Sequence, residues 1–269
     1  MKRDTMTIMY SPAKKCLAYI GQAAGSDFWD GIWAVGAETE QASKSVNAQE
    51  VVEQTLHLLP GKGRKIIEAG CGNGGIVLAL SRAGYKVSGV DFAEQTVSRL
   101  NKSHPDLDII LDDVRDLSAP DASYDGYWSL GVIEHFWNGN DAILDEAVRV
   151  LRPGGIMFLT FPSMSPLRRL RTKLGAYPSL PDKNDEPKGF YQFALRPAVV
   201  RKALEDRGMS VLIERRRNAV LGLADDFPDF ASFITKSRTP VARIARLMAT
   251  KLATQLCGHG TIMILRKED

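Results

Sequence analysis

The stretch from Lys65 to Gly75, KIIEAGCGNGG, decides how this chain is read. Ile66 and Ile67 are β-branched, which suits a strand. Glu68 and Ala69 follow, and then Gly70, Gly72, Gly74 and Gly75 fall within six positions. IVLAL comes next and reads as a helix. A strand, a glycine turn and a helix bring backbone close to a nucleotide-like ligand. Glycine serves in the turn because a side chain would block that approach. The helix N-terminus adds free N–H groups.

Working outward, YKVSGVD reads as a second strand ending at Asp91, about 20 residues after the turn, where an acid accepts from ribose hydroxyls. The same carboxylate suits a cap for the helix AEQTVSRLN. LDIILDDVRDL is a third strand ending at Asp112-Asp113. YDGYWSLGVIEHF is a fourth, Tyr124 to Leu130, running into Gly131, Glu134 and His135. Asp141 opens a helix, and LRPGG turns into the strand IMFLTF.

Gly70, Gly72 and Gly75 satisfy the G-x-G-x-x-G of dinucleotide sites, so an NAD(P)-binding oxidoreductase using Asp91 is one reading. Glu68 and Gly74, however, give an E-x-G-x-G-x-G order. Together with Asp91, the E-H pair and the L-R-P-G-G turn, it resembles the class I S-adenosylmethionine (SAM) dependent methyltransferases. The resemblance runs from Val46 to Phe161, and more loosely from Phe190 to Lys267. It implies a doubly wound α/β sheet of seven strands, six parallel and one antiparallel, the last being TIMILRK. It implies SAM as cofactor, S-adenosylhomocysteine as product and a small-molecule acceptor. Glu68, Gly70, Cys71, Gly72 and Gly74 would then approach the cofactor. Asp91 would hold its ribose, Phe92 would pack on its adenine, Asp113 and Val114 would meet the adenine edge, and Ser129 and Leu130 would close the site. His135, just past the fourth strand, is the candidate base, since imidazole titrates near neutrality; it reads equally as a structural or substrate-shaping histidine. Glu134 would orient it or face solvent. A SAM-binding protein that does not methylate is a further alternative.

Segments outside the resemblance should shape the acceptor side. Phe28 to Trp33, FWDGIW, supplies Trp29 and Trp33, and FYQFALRP supplies Tyr191; these are candidate lid residues. Residues 1–46 read as an N-terminal lid, 47–161 as the SAM-binding core and 162–190 as a proline-rich lid insertion. Residues 191–269 read as the C-terminal part, with a second insertion near 218–256. Asn47 with Glu50 resembles a capping box, predicting a helix with Val51, Val52, Leu56 and Leu59 on one face. AVLGLADDFPDFASF reads as irregular, and Pro240 as the start of a basic amphipathic helix. An aromatic lid beside a basic one suggests an amphiphilic acceptor such as a quinone, a lipid or a lipid-linked sugar.

Composition excludes other classes. Cys16, Cys71 and Cys257 are far apart and show no metal spacing, which argues against a disulfide scaffold or a zinc site. No stretch reaches the ~20 apolar residues of a membrane span, and a cytoplasmic protein is expected. Nothing interleaves aromatic and basic residues as a nucleic-acid platform does. Charge is uneven: residues 1–160 hold 15 Lys and Arg against 21 Asp and Glu, whereas residues 161–269 hold 20 against 11. The basic run Arg168, Arg169, Arg171 and Lys173 therefore reads as a solvated face that could touch an anionic acceptor or the membrane surface.

Overall fold

The computed structural model describes residues 6–36, 38–181, 185–227 and 254–269. Strands β1 (Thr7–Ser11) and β2 (Cys16–Ile20) form a hairpin, followed by helices α1 (Ser26–Val35), α2 (Thr39–Ser43) and α3 (Val46–Leu58). The alternating core then runs β3 (Lys65–Ala69), α4 (Gly75–Arg82), β4 (Lys86–Asp91), α5 (Glu94–Ser103), β5 (Asp108–Leu111) and β6 (Tyr124–Leu130). It continues through α6 (Asp141–Val150), β7 (Leu151–Pro162) and α7 (Pro166–Lys173). The chain ends with β8 (Phe190–Ala194), α8 (Pro197–Glu205), β9 (Met209–Arg217), α9 (Ala219–Asp226) and β10 (Gly260–Lys267).

The main sheet has seven strands in the order β5-β4-β3-β6-β7-β10-β9. β10 runs antiparallel to both β7 and β9, and the pairings from β5 to β7 are parallel. This is the expected arrangement of six parallel strands and one antiparallel strand. Period-2 alternation makes both faces apolar. Ile67, Tyr127, Met157 and Met263 join a core with Ile143 and Ala147 of α6 and Val200 and Leu204 of α8. Their neighbours Ile66, Trp128, Phe158 and Ile264 join a second core with Val77 and Leu80 of α4 and Val97 and Leu100 of α5. The chain crosses from one face to the other between β3 and β6. The glycine turn leaves β3 at that switch point, where open α/β sheets bind ligands.

A second sheet, β1-β2-β8, joins the N-terminal segment to the aromatic strand at Phe190, with Leu17 opposite Ala194. Its core packs Leu17, Trp137, Phe190 and Phe193.

Local details differ from expectation. Ser45, not Asn47, caps α3, its hydroxyl accepting from the Ala48 amide at 3.2 Å. Leu56 is exposed, whereas Val51 and Leu59 are buried. The segment after Asn218 is helical as α9. Most important, Arg168 is fully buried. Its guanidinium bonds Asp225 at 2.8 Å, Asp226 at 3.2 Å and the Ser163 carbonyl at 3.2 Å. Arg171 is half-buried and lies over the Phe227 and Tyr177 rings. The basic run is therefore not a uniformly solvated face; α9 brings two aspartates to it. The helix read from Pro240 lies outside the described residues.

Helices α1 and α5 hold each other by their ends. Asp30 of α1 is buried and accepts from the Thr96 amide and hydroxyl, each at 2.8 Å. α5 has no cap of its own, so Asp30 satisfies its free N-terminal amides. Arg99 of α5 returns a bond to the Trp33 carbonyl at 3.1 Å, near the C-terminus of α1. Asp30→Ala should cost about 0.5–2 kcal/mol of stability, the usual value of a cap. It should also shift the Trp29 and Trp33 fluorescence, because α1 loses its anchor. An unchanged melt and emission spectrum would show that α1 docks by other contacts.

Candidate active site

A cavity of about 610 Å³ opens at the switch point, walled by the glycine turn, the ends of β4 and β6, α1 and β8. Its floor is the turn itself. The amides of Gly70 and Cys71 bond the Val90 carbonyl at 2.7 and 2.9 Å, which fixes the turn on β4. Gly72 has φ +52°, and a Cβ there would lie 2.6 Å from the Trp33 ring. Glycine is thus required both by conformation and by the close approach of α1.

Asp91 is buried at the cavity edge. One carboxylate oxygen accepts from the Gly72 amide at 2.8 Å and the other from the Ala93 amide at 3.0 Å. Burial raises its carboxyl above the ordinary range, and those amides partly offset the rise. Asp91 does not cap α5 at Thr96; Asp30 does. Phe92 is exposed on its cavity side, and Val114 and Leu130 add apolar wall. Glu68 lines the cavity with Oε2 unpartnered among the described residues, and burial holds its carboxyl well up.

Across from the turn stands an aromatic wall. Trp29 stacks on Trp33 with centroids 6.0 Å apart and meets the His135 ring edge-on at 5.0 Å. His135 meets Tyr191 at 5.1 Å. His135 and Glu134 sit in the short 3-10 turn Ile133–His135 that leaves β6. Glu134 is buried and does not face solvent.

The cavity thus gathers Glu68, Gly70, Cys71, Gly72, Asp91, Phe92, Val114, Leu130, His135, Trp29, Trp33 and Tyr191 from the sequence reading. Three expected residues lie off its wall. The Asp113 carboxylate is clasped by Arg115, which holds it below the usual carboxylate range. Gly74, in the left-handed conformation, starts α4. Ser129 is fully buried behind the strand end. Sequence reasoning missed Asn73, Thr160, Gln192 and Arg217, all of which line the cavity. Thr160 and Arg217 come from β7 and β9, and no motif marks them, since only the sheet order brings those strands to the site.

Residues 67–159 match the family described as "Methyltransferase domain". Among curated proteins, 27-O-demethylrifamycin SV methyltransferase of Amycolatopsis mediterranei is 29% identical over 159 residues, covering 54% of this chain and 56% of that protein. Ubiquinone biosynthesis O-methyltransferase of Maricaulis maris is 28% identical over 160 residues, covering 56% of this chain and 61% of that one. The matches thus span less than two thirds of these relatives' own lengths. Among solved structures, the cyclase SpnF superposes with a TM-score of 0.57 at 18% identity, covering 93% of this chain and 98% of that one. The motifs, the strand order and the family match agree: this chain carries a class I SAM-dependent methyltransferase domain.

Proposed function

We propose that the protein transfers a methyl group from SAM to a hydroxyl of a flat, aromatic small molecule. One observation carries this reading: a single cavity joins the buried carboxyl groups of Glu68 and Asp91 to an aromatic wall. Buried carboxylates need cationic or hydrogen-bonding partners. SAM offers an ammonium, a sulfonium and two ribose hydroxyls, so it fits this donor-poor site. When bound, it supplies a methyl group on an activated sulfonium.

The chain's own residues then bind, orient and exclude water. Asp91 receives the ribose hydroxyls, Phe92 and Val114 pack on the adenine, and Glu68 faces the amino-acid end. Because the Asp113 carboxylate is held by Arg115, the adenine edge falls to the backbone beside Val114. Trp29, Trp33, Tyr191 and His135 form the wall on which the acceptor packs, as aromatic side chains favour offset or edge-on rings. The work done by the protein is mainly positioning, for which ~7–11 kcal/mol is available in well-oriented systems. The relatives named for quinone and rifamycin O-methylation support a hydroxylated ring as acceptor.

Among the described residues no helix is long and apolar enough to cross a membrane. Peripheral contact with an anionic surface would fall to Arg169 and Lys173, exposed on α7, since Arg168 is buried in an ion pair.

Calorimetry with SAM, S-adenosylhomocysteine and NAD tests the cofactor, and release of S-adenosylhomocysteine with a hydroxyarene panel tests the transfer. SAM and S-adenosylhomocysteine should bind and NAD should not. Binding of SAM with no release on any acceptor would favour a SAM-binding protein that does not methylate.

A further inference from the structure

We propose that Glu134, rather than His135, takes the proton from the acceptor hydroxyl during methyl transfer. This rests on the methyltransferase reading above and assigns a catalytic group within the same cavity.

The geometry separates the two side chains. His135 has its Nδ1 committed to backbone. Nδ1 lies 2.7 Å from the Tyr191 carbonyl, and the ring also faces the Gly131 carbonyl. A carbonyl only accepts, so Nδ1 carries a proton and donates it to Tyr191. The ring is further fixed by Trp29 and Tyr191. His135 therefore reads as a wall residue that fastens the 3-10 turn to β8.

Glu134 is the reverse case. Its side chain is 3% exposed, it lines the cavity, and Oε2 has no hydrogen-bond partner among the described residues. A buried polar atom left without a partner costs free energy, and such an atom in a cleft wall is a candidate for a ligand contact. Its other oxygen lies 4.0 Å from His135 Nε2. The titratable and charged groups sharing its cavity are His135 on its own turn, Tyr191 of β8, Glu68 of β3, Cys71 of the glycine turn, Asp91 of β4 and Arg217 of β9.

Base strength agrees with the geometry. Burial pushes Glu134 up to about 8 and pushes His135 down to about 4. A group with a value near the working pH is the better proton acceptor, and His135 is a weak base by comparison.

The step balances as follows. The acceptor oxygen forms a bond to the methyl carbon as the carbon–sulfur bond breaks, its electron pair staying on sulfur. The O–H bond breaks and its proton passes to the Glu134 carboxylate. Carboxylate, hydroxyl and sulfonium give carboxylic acid, methyl ether and thioether, so the opposite charges cancel.

The test compares wild type, Glu134→Gln, Glu134→Asp and His135→Gln, using 3,4-dihydroxybenzaldehyde and methylhydroquinone as acceptors. Because Glu134 must be ionised to act, wild-type kcat should rise with pH through about 8. A His135 base would instead give a plateau from about 4 upward. E134Q should lose about 10²-fold or more of kcat, lose the limb near pH 8, and keep its SAM affinity within about twofold. E134D, which keeps an ionisable group, should retain a limb at reduced kcat, and H135Q should retain the limb.

A melting series needs no acceptor. With its folded value raised above that of the unfolded chain, Glu134 stabilises fully below about pH 4.5 and loses that contribution as pH rises through about 8. Wild type should therefore lose melting temperature relative to E134Q across that window. E134Q turnover within about threefold of wild type, or a limb near pH 8 surviving in E134Q, overturns the proposal. So does a melting difference that stays flat with pH. A wild type that binds SAM but neither binds nor methylates either probe overturns it too. A wild type that does not bind SAM overturns instead the methyltransferase reading on which it rests.

Discussion

Asp91→Ala should weaken SAM binding by about 10²–10⁴-fold. Two ribose hydroxyls would lose a charged acceptor, each such bond being worth ~1.5–3 kcal/mol, and ~1.4 kcal/mol is a factor of ten. The structure adds a second consequence. Asp91 accepts from the Gly72 and Ala93 amides, so alanine would orphan two backbone donors at the glycine turn. Each orphan costs roughly 1–3 kcal/mol where water cannot reach it. The variant should melt earlier as well as bind weakly, and affinity should be measured well below its melting temperature. Asp91→Asn keeps one acceptor oxygen and should fall between. Calorimetry with SAM and S-adenosylhomocysteine reads the effect. Binding by Asp91→Ala within twofold of wild type would remove Asp91 as the ribose contact.

Arg168→Met should destabilise the fold by about 3–5 kcal/mol, the cost of leaving one side of a buried ion pair alone. For a chain of this size that corresponds to a melting shift of roughly 6–20 °C. The reason is local. Asp225 and Asp226 of α9 are held by Arg168, with Tyr19 of β2 and Tyr177 bonded to the same carboxylates. His259 lies 2.9 Å from Asp225 as well. The cluster therefore ties α7, α9, the small sheet and the entry to β10. Removing the guanidinium leaves two buried carboxylates with only Tyr19, Tyr177, His259 and the more distant Arg171 beside them. The triple variant Arg168→Met, Asp225→Asn, Asp226→Asn should recover much of the loss, because neutral replacement of a whole buried pair is often near neutral. A single variant melting within about 2 °C of wild type would mean that water reaches the cluster and screens it.

The two predictions mark where local sequence is sufficient and where it is not. From Lys65 to Pro162 the chain specifies itself. Strand, glycine turn and helix follow from composition and spacing, and the turn at Gly70–Gly75 accepts little else, since φ is positive at Gly70, Gly72 and Gly74. The acid two residues before the turn and the acid ending β4 were legible because their distance along the chain fixes their place at the strand ends. The antiparallel seventh strand followed from the family resemblance and not from spacing, since its direction is set by pairing with β7 and β9.

Other features depended on contacts between segments distant in sequence. Asp30 caps a helix through Thr96, 66 residues on, Arg168 meets aspartates 57 and 58 residues on, and Leu17 pairs with Ala194. Periodicity carries information over one turn or one strand; it says nothing of which buried charge finds which partner. The contrast between Glu134 and His135 is of the same kind. Adjacent in sequence, they were read as base and helper by residue type. Burial, the Tyr191 carbonyl on His135 Nδ1 and an unpartnered Glu134 oxygen are the grounds on which we propose the opposite order. A proton-transfer role is set by solvation and hydrogen bonding, and both exist only once β6, β8 and α1 have closed around the pair.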